Sequence, residues 1–436
     1  MEKLKARFYF WGAAWFGWWA KIVLGYWRPR IVVISGSSGK TTLFSLLEAQ
    51  LGEMAEFPHD VNSAYGLAFA ILKLKRRTYS VWEWLKFFIL APFCILAGKG
   101  RAKILMIEAD AERPGEAKFA RWLLHPEIAV LTNVTHTHAS WYDNLVQKGQ
   151  YENVQDAIVD EFVQILVGAE TAIINADNQT IVQAIERNDW LREHKDNIMY
   201  LQAADYLRGY QIFEDRTQFV INRETYVFPY FLPENIAFSL QVVQILCSEL
   251  GKRVDVHFAK YQLPPGRSTI LPGIRGTRLI DSTYNANLDS TTAMLRAYEQ
   301  YPVAKKWLVL GEFREQGVEA KQQHEELAKR LLSLKTIEKV ILVSPEMRVW
   351  VAPRLLQFWP REMLEQFDSA GGAYAWLLKN IRGGETILLK GSQGRHLEAI
   401  VEGLLANKED VERLACRNAI YRPVQEDILA AGKGII

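Results

Sequence analysis

The sequence predicts an α/β fold with mostly parallel sheet, and three observations carry that prediction. Short β-branched or aliphatic runs recur along the chain, each giving way to a turn rich in Gly, Asn or Asp and then to helical spacing. One such turn, Gly36 to Thr42, has the composition of a phosphate-binding loop. The length, 436 residues, leaves room for two or three domains.

Composition narrows the function classes. The chain is 49% hydrophobic, 23% charged and 12% aromatic, a globular mixture that excludes a disordered or fibrous protein. Lys and Arg total 52 against 50 Asp and Glu, which argues against a nucleic-acid binder. The near balance hides an asymmetry. Residues 1–103 hold 15 basic and 6 acidic side chains, and the remainder holds 37 and 44. A basic front end favours an anionic partner, either nucleotide phosphates or a lipid surface. Cys94, Cys247 and Cys416 are too scattered for a disulfide framework or a four-Cys zinc site, so a reducing compartment is expected. No cleavable leader is evident, because the first apolar stretch lacks a small-residue cleavage site.

The first elements are aromatic. Residues 8–20 (FYFWGAAWFGWWA) are unbroken apolar or Gly, and the character continues past Lys21 to Trp27, with Lys3, Lys5, Arg7, Arg28 and Arg30 on the flanks. Tyr79 to Gly98 repeats the theme after Lys73, Lys75, Arg76 and Arg77. Seven of the 14 tryptophans fall in the first 100 residues, a makeup that suits the headgroup interface better than the bilayer centre. Three readings stand. Segments 1–28 and 79–98 are helices lying on an anionic membrane, or they pack on each other or bury a self-association face, or they span the membrane.

Arg30 to Ser35 (RIVVIS) reads as a buried parallel strand and Leu43 to Leu51 as a helix. Between them lie Gly36, Ser37, Ser38, Gly39, Lys40, Thr41 and Thr42. Glycines let backbone N–H groups close on phosphate oxygens at a helix N-terminus. Lys40 then reaches the β- and γ-phosphates of a bound nucleotide, and the Thr41 hydroxyl is placed to ligate Mg²⁺. The general motif wants a Gly where Ile34 stands, so this loop is a shortened variant. Further on, Lys103 to Ile107 reads as a strand ending at Glu108, where a second metal contact is expected, and Ile128 to Leu131 as another that leads into Thr132 to His138. Arg278 to Ile280, Trp307 to Leu310 and Thr386 to Leu389 read as strands of the last third.

The shortened GSSGKTT loop resembles that of the Mur ligases, which form amide bonds in peptidoglycan precursors, and further segments in consistent order over residues 31–400 resemble the MurF branch. They are Asn62-Ser63-Ala64-Tyr65-Gly66, Arg113-Pro114-Gly115-Glu116, the Thr-Asn start of Thr132 to His138, Asn175-Ala176-Asp177, Gly266-Arg267, Asp281-Ser282-Thr283-Tyr284-Asn285-Ala286-Asn287, Gly311-Glu312 with Glu315, Gly317 and His324, and Lys390-Gly391-Ser392. The resemblance implies a P-loop central domain over 30–264, with an aromatic insertion at 78–100, and a Rossmann-like C-terminal α/β domain over 265–436, after an aromatic basic helix at 1–29. It implies metal contacts from Thr41, Glu108 and His138, and nucleotide contacts from Asn235, Arg267, Asp281, Tyr284 and Asn285. Substrate contacts fall on Asn287, Lys390 and Ser392.

Departures matter as much. Where the branch has His and a second Asn around Asn235, this chain has Glu234 and Phe238. Glu161 matches a family Glu, but the family lysine two positions earlier is Val159, which puts a second metal in doubt. About 30 residues precede the first strand where a UDP-binding domain is usual, so the usual grip on a UDP-sugar is not expected. The implied activity is ATP-dependent amide synthesis through an acyl phosphate, adding an amino acid or dipeptide to a cell-wall precursor in the cytoplasm, with a small molecule or muropeptide as acceptor and no nucleic acid. A ligase acting on a cofactor or polyglutamate carboxylate, and a weakly catalytic nucleotide-binding membrane scaffold, are the alternatives.

Overall fold

A computed structural model describes residues 2–59, 61, 63–76, 80–96, 100, 102–417 and 421–432. Asn62, Arg77, Tyr79, Gly98 and the side chains of Lys3, Lys5 and Arg7 lie outside the described residues. The chain forms two compact units, Met1–Tyr206 with Phe238–Tyr261, and Leu207–Ala237 with Gln262–Ile436.

The first unit is built on six parallel strands: β1 (Arg30–Ser35), β2 (Ala55–Glu56), β3 (Ile104–Ala109), β4 (Ile128–Leu131), β5 (Thr171–Asn175) and β6 (Ile198–Leu201), in the order β2-β3-β1-β4-β5-β6. The central strand β1 is buried from Ile31 to Ser35, which is why it reads as an unbroken β-branched run. From β1 the chain runs to the edge strand β2, comes back to β3 beside β1, and then crosses to β4 on the other side. The carboxyl ends of β3, β1 and β4 therefore meet at a switch point, where open α/β sheets place their ligands. The strand expected over Lys103 to Ile107 and ending at Glu108 runs one residue further, to Ala109, and the helix expected from Leu43 begins at Lys40.

The aromatic front end is part of this unit's packing. Helix α1 (Glu2–Trp27) buries Ala13, Phe16, Ala20 and Val23. It lies against α3 (Ala64–Leu72), with α2 (Lys40–Leu51) between them in sequence, and Gly12 leaves space for the Tyr65 hydroxyl, which donates to the Tyr9 carbonyl at 2.9 Å. Helix α4 (Val81–Leu90) rests on the same surface, the Phe88 ring 4.7 Å from that of Phe16. Among the described residues, no helix is long and apolar enough to cross a membrane.

The second unit carries a six-stranded sheet. Its strands are β10 (Thr269–Pro272), β11 (Arg278–Ser282), β12 (Lys306–Gly311), β13 (Ile337–Val343), β14 (Leu364–Phe367) and β15 (Thr386–Lys390), in the order β10-β11-β15-β12-β13-β14. All pairs are parallel except the β10–β11 edge, so the sheets are mostly parallel as expected. An antiparallel meander, β7 (Leu207–Ile212), β8 (Thr217–Ile221) and β9 (Glu224–Phe228), also belongs to this unit, and Phe231 after it packs 5.2 Å from the Tyr301 ring.

Candidate active site

The Gly36–Thr42 loop is fixed from below by the loop after β4. Gly36 and Gly39 both take positive φ, 131° and 88°, and a Cβ on Gly36 would lie 2.8 Å from the Asn133 carbonyl oxygen, so only glycine fits there. The Ser37 amide donates to the Asn133 carbonyl at 2.7 Å, and the Thr132 hydroxyl donates to the Ser38 carbonyl at 2.7 Å. Ser37 Oγ accepts from the Thr135 amide at 2.6 Å. Asn178, after β5, braces the same loop by donating to Asn133 and to the Val134 carbonyl. The backbone turn is thereby held in shape by side chains from two neighbouring strand ends.

Lys40, Thr41, Glu108 and His138 fall around this turn. Lys40 is buried; its ammonium donates to the Gly36 carbonyl and pairs with Asp110 Oδ2 at 2.9 Å. Burial pushes the Asp110 carboxyl up, but the Lys40 ammonium, with His138 nearby, outweighs it and holds the group below the usual carboxylate range. The Thr41 hydroxyl donates to Glu108 Oε2 at 3.3 Å. These two oxygens suit a hard cation that keeps most of its waters and takes phosphate oxygens as its other ligands. Among the described residues there is no cluster of three or more His, Cys, Asp or Glu able to hold a metal alone. Val159 is fully buried in the hydrophobic core. Glu161 accepts from the Ala117 amide at 2.9 Å at the start of helix α5 (Glu116–Leu124), and burial raises its carboxyl.

Asp110 is the residue the sequence analysis passed over. It follows Glu108 by two positions at the end of β3, and period-two alternation sends both side chains toward one face. Arg113 is a second. Its guanidinium lies 4.7 Å from the Tyr9 ring and 4.4 Å from that of Trp141, while Tyr9 donates to Glu116 at 2.6 Å. The Arg113–Glu116 stretch is thus tied to α1.

The second unit gathers a separate group. Gly266 has φ 69°, and the Tyr284 amide donates to its carbonyl at 3.2 Å, which brings the Arg267 guanidinium to 4.6 Å above the Tyr284 ring. Lys390 is buried and donates to the Asn285 carbonyl at 3.0 Å; burial, aided by Arg267, pulls its ammonium down to about 7. Ser392 accepts from the Arg314 amide at 3.0 Å and donates to the Ala286 carbonyl at 3.3 Å. Asp281 is fully buried, its Oδ1 accepting from the Thr283 amide and hydroxyl at 3.1 and 2.6 Å, and burial raises it to about 6. It shapes the turn from inside. Asn287 is the N-cap of Leu288–Gln300, accepting from the Ser290 amide at 2.8 Å in a capping box. Asn235 is exposed just before helix Ile236–Glu249. Glu312 pairs with Arg395 at 2.5 Å, and His324 accepts from the Phe313 amide at 3.1 Å, with burial favouring its neutral form.

Residues 34–221 match the Mur ligase middle domain, and residues 266–393 match the Mur ligase glutamate ligase domain. The UDP-N-acetylmuramoyl-tripeptide–D-alanyl-D-alanine ligase of Borreliella burgdorferi is 23% identical over 378 residues, covering 85% of this chain and 73% of that protein. The enzyme of that name from Bacillus subtilis is 22% identical over 407 residues, covering 88% and 78%. Among solved structures, the MurF ligase of Thermotoga maritima in complex with ADP superposes with a TM-score of 0.68 at 21% identity, covering 92% of this chain and 84% of that one. MurF of Acinetobacter baumannii gives 0.68 at 18% identity, covering 90% and 80%. With the phosphate-loop sheet matched to one domain and the Arg267-to-Ser392 unit to the other, the chain belongs to the Mur ligase family.

Proposed function

We propose that the chain is an ATP-dependent amide ligase of the MurF type, joining an amine, with D-alanyl-D-alanine the leading candidate, to a carboxylate of a cell-wall precursor. The observation that carries the reading is Lys40, held by Asp110 and Gly36 at the base of a braced glycine loop, with the Thr41–Glu108 oxygen pair beside it. ATP supplies the leaving group. A substrate carboxylate oxygen attacks the γ-phosphorus, the bond to ADP breaks, and an acyl phosphate forms. The amine nitrogen then attacks the acyl carbon and inorganic phosphate leaves. The first step brings anion to anion, so its barrier is electrostatic. Loop amides and the Lys40 ammonium offset that repulsion. Mg²⁺ held by Thr41 and Glu108 would neutralise further phosphate charge when bound.

His138 is read as supporting the Asp110 charge near the loop, because Mg²⁺ prefers oxygen. In the second unit, Arg267, Tyr284 and Asn285 remain the reading for nucleotide contacts, with Asn235 toward the base. Lys390 and Ser392, with Glu312 and Arg395 nearby in the fold, are read toward the amine substrate. Asp281 and Asn287 act by shaping the turn that carries these groups.

The test is phosphate release from Mg-ATP by the purified chain, with muropeptide acceptors crossed against D-alanyl-D-alanine and single amino acids. Release that needs both an acceptor and an amine, and that disappears in Lys40→Ala, is the expected result. Turnover unchanged in Lys40→Ala would refute the assignment. Release with a polyglutamate-type acceptor alone would move the chain to another branch of the same chemistry.

A further inference from the structure

Helix α1 has two apolar faces where a surface helix has one. The inner face packs on the core through Phe16 and its neighbours. On the outer face Phe8, Trp11, Trp15, Trp18 and Tyr26 form a stripe open to solvent, Trp11 74% and Trp18 61% exposed. Helix α4 repeats the arrangement. Phe87 turns inward, whereas Trp82, Leu85 and Ile89, followed by Phe93 in the next turn, stay exposed, Trp82 at 81%. The stripes adjoin, for the Trp15 ring is 6.4 Å from that of Phe88. A patch of this extent on a folded protein marks a binding surface.

Its chemistry selects the occupant. Lys75, Arg76 and Lys86 are exposed around it. Lys75 and Lys86, with Trp82, Glu83 and Phe87, line a shallow groove of about 510 Å³. The Lys21 ammonium lies over the Trp122 ring, 4.8 Å from its centre. Protein–protein interfaces are depleted in lysine, whereas tryptophan beside lysine and arginine is the signature of a headgroup region. No helix among the described residues can cross a bilayer, so the helices would lie in the surface plane.

We propose that the outer faces of α1 and α4 form a docking surface for the headgroup layer of an anionic bilayer. The tryptophan rings enter the layer between headgroups and acyl chains. The lysines of the groove meet lipid phosphates, so binding needs anionic lipid and weakens with salt. This surface does not depend on the ligase reading.

Sedimentation of the 436-residue chain with vesicles of phosphatidylcholine, against vesicles of phosphatidylcholine and phosphatidylglycerol in equal parts, tests it. A second readout, quenching of tryptophan fluorescence by brominated acyl chains, needs no variant. Binding to anionic vesicles with quenching is expected, reduced at least about tenfold in Trp11→Ser/Trp18→Ser/Trp82→Ser and weakened selectively on anionic vesicles in Lys75→Glu/Lys86→Glu. Unchanged circular dichroism and ATP binding identify variants that remain folded. Absence of both binding and quenching in the wild type at low salt overturns the proposal, as does binding indifferent to the tryptophan substitutions. A dimer in light scattering that the triple variant dissolves, with no vesicle binding, would assign the face to a second copy instead.

Discussion

Asp110→Asn isolates the role of the buried ion pair beneath the phosphate loop. The substitution keeps shape and removes charge. Lys40 and Asp110 side chains are 11% and 14% exposed and 2.9 Å apart, so solvent screens their attraction little. Breaking a buried pair by neutralising one partner costs about 3–5 kcal/mol, because the other charge is left uncompensated. Retention of the Gly36 carbonyl contact and the partial exposure place the expectation near the lower end, about 3 kcal/mol. For a unit of some two hundred residues that is a fall in melting temperature of roughly 6–12 °C. The assay is thermal unfolding followed by the first unit's tryptophans, with and without a non-hydrolysable Mg-ATP analogue. Bound phosphate supplies new negative charge to Lys40, so the analogue should stabilise the variant by more than the wild type. The Asp110 pKa adds a direction. Its folded value lies below the ordinary one, so the stabilisation is present above the unfolded pKa and is lost as pH falls through the folded value. A melting temperature unchanged in Asp110→Asn without nucleotide would refute the reasoning.

Three further outcomes follow from the same structure. Lys40→Ala should abolish Mg-ATP-dependent phosphate release while the chain remains folded, checked by turnover beside circular dichroism. Lys390 has a folded pKa of about 7, below its unfolded value, so its burial destabilises the second unit fully below pH 7 and progressively less as pH rises toward the unfolded value; melting curves of the wild type should climb through that window while those of Lys390→Met stay flatter, and parallel curves would sink the idea. Val159→Lys, which restores the family residue, should destabilise the first unit by about 3 kcal/mol or more, because the site is fully buried among apolar side chains; an undiminished melting temperature with a gain in Mg²⁺-dependent turnover would show that the position opens onto the site after all.

Much of the first unit was legible because its signals are local. A strand buried on both faces must be apolar throughout, and a loop whose backbone meets a neighbouring carbonyl must be glycine, so Ile31–Ser35 and Gly36 declare themselves. Glu108 was legible as a strand-end carboxylate. Asp110 carried the same signal two residues on, but its importance arises from Lys40, which reaches it from another strand–helix junction. Asn287 carries a local signal beside the one the resemblance implies: an Asn with Ser three residues later, ahead of a helical run, is a capping pattern, and that cap is formed. The composition of α1 was plain, but which of its faces is buried depends on Tyr65, Phe69 and Phe119, contributed by distant parts of the chain.

The arrangement around the loop also bears on the proposed phosphate binding. A flexible loop would spend much of its phosphate interaction on ordering itself. Here Thr132, Asn133, Thr135 and Asn178 already hold the turn through a set of mutually satisfied hydrogen bonds. These partners come from the ends of β4 and β5, so the loop's shape is inherited from the strand order of the sheet. Lys40 is positioned in the same way, by a carboxylate from the end of β3 and a carbonyl from the loop itself. The Lys40 ammonium is therefore oriented by the sheet before any ligand arrives, which is the condition the proposed role needs: an ammonium that stabilises charge developing on a transferred phosphoryl group without reorganising first.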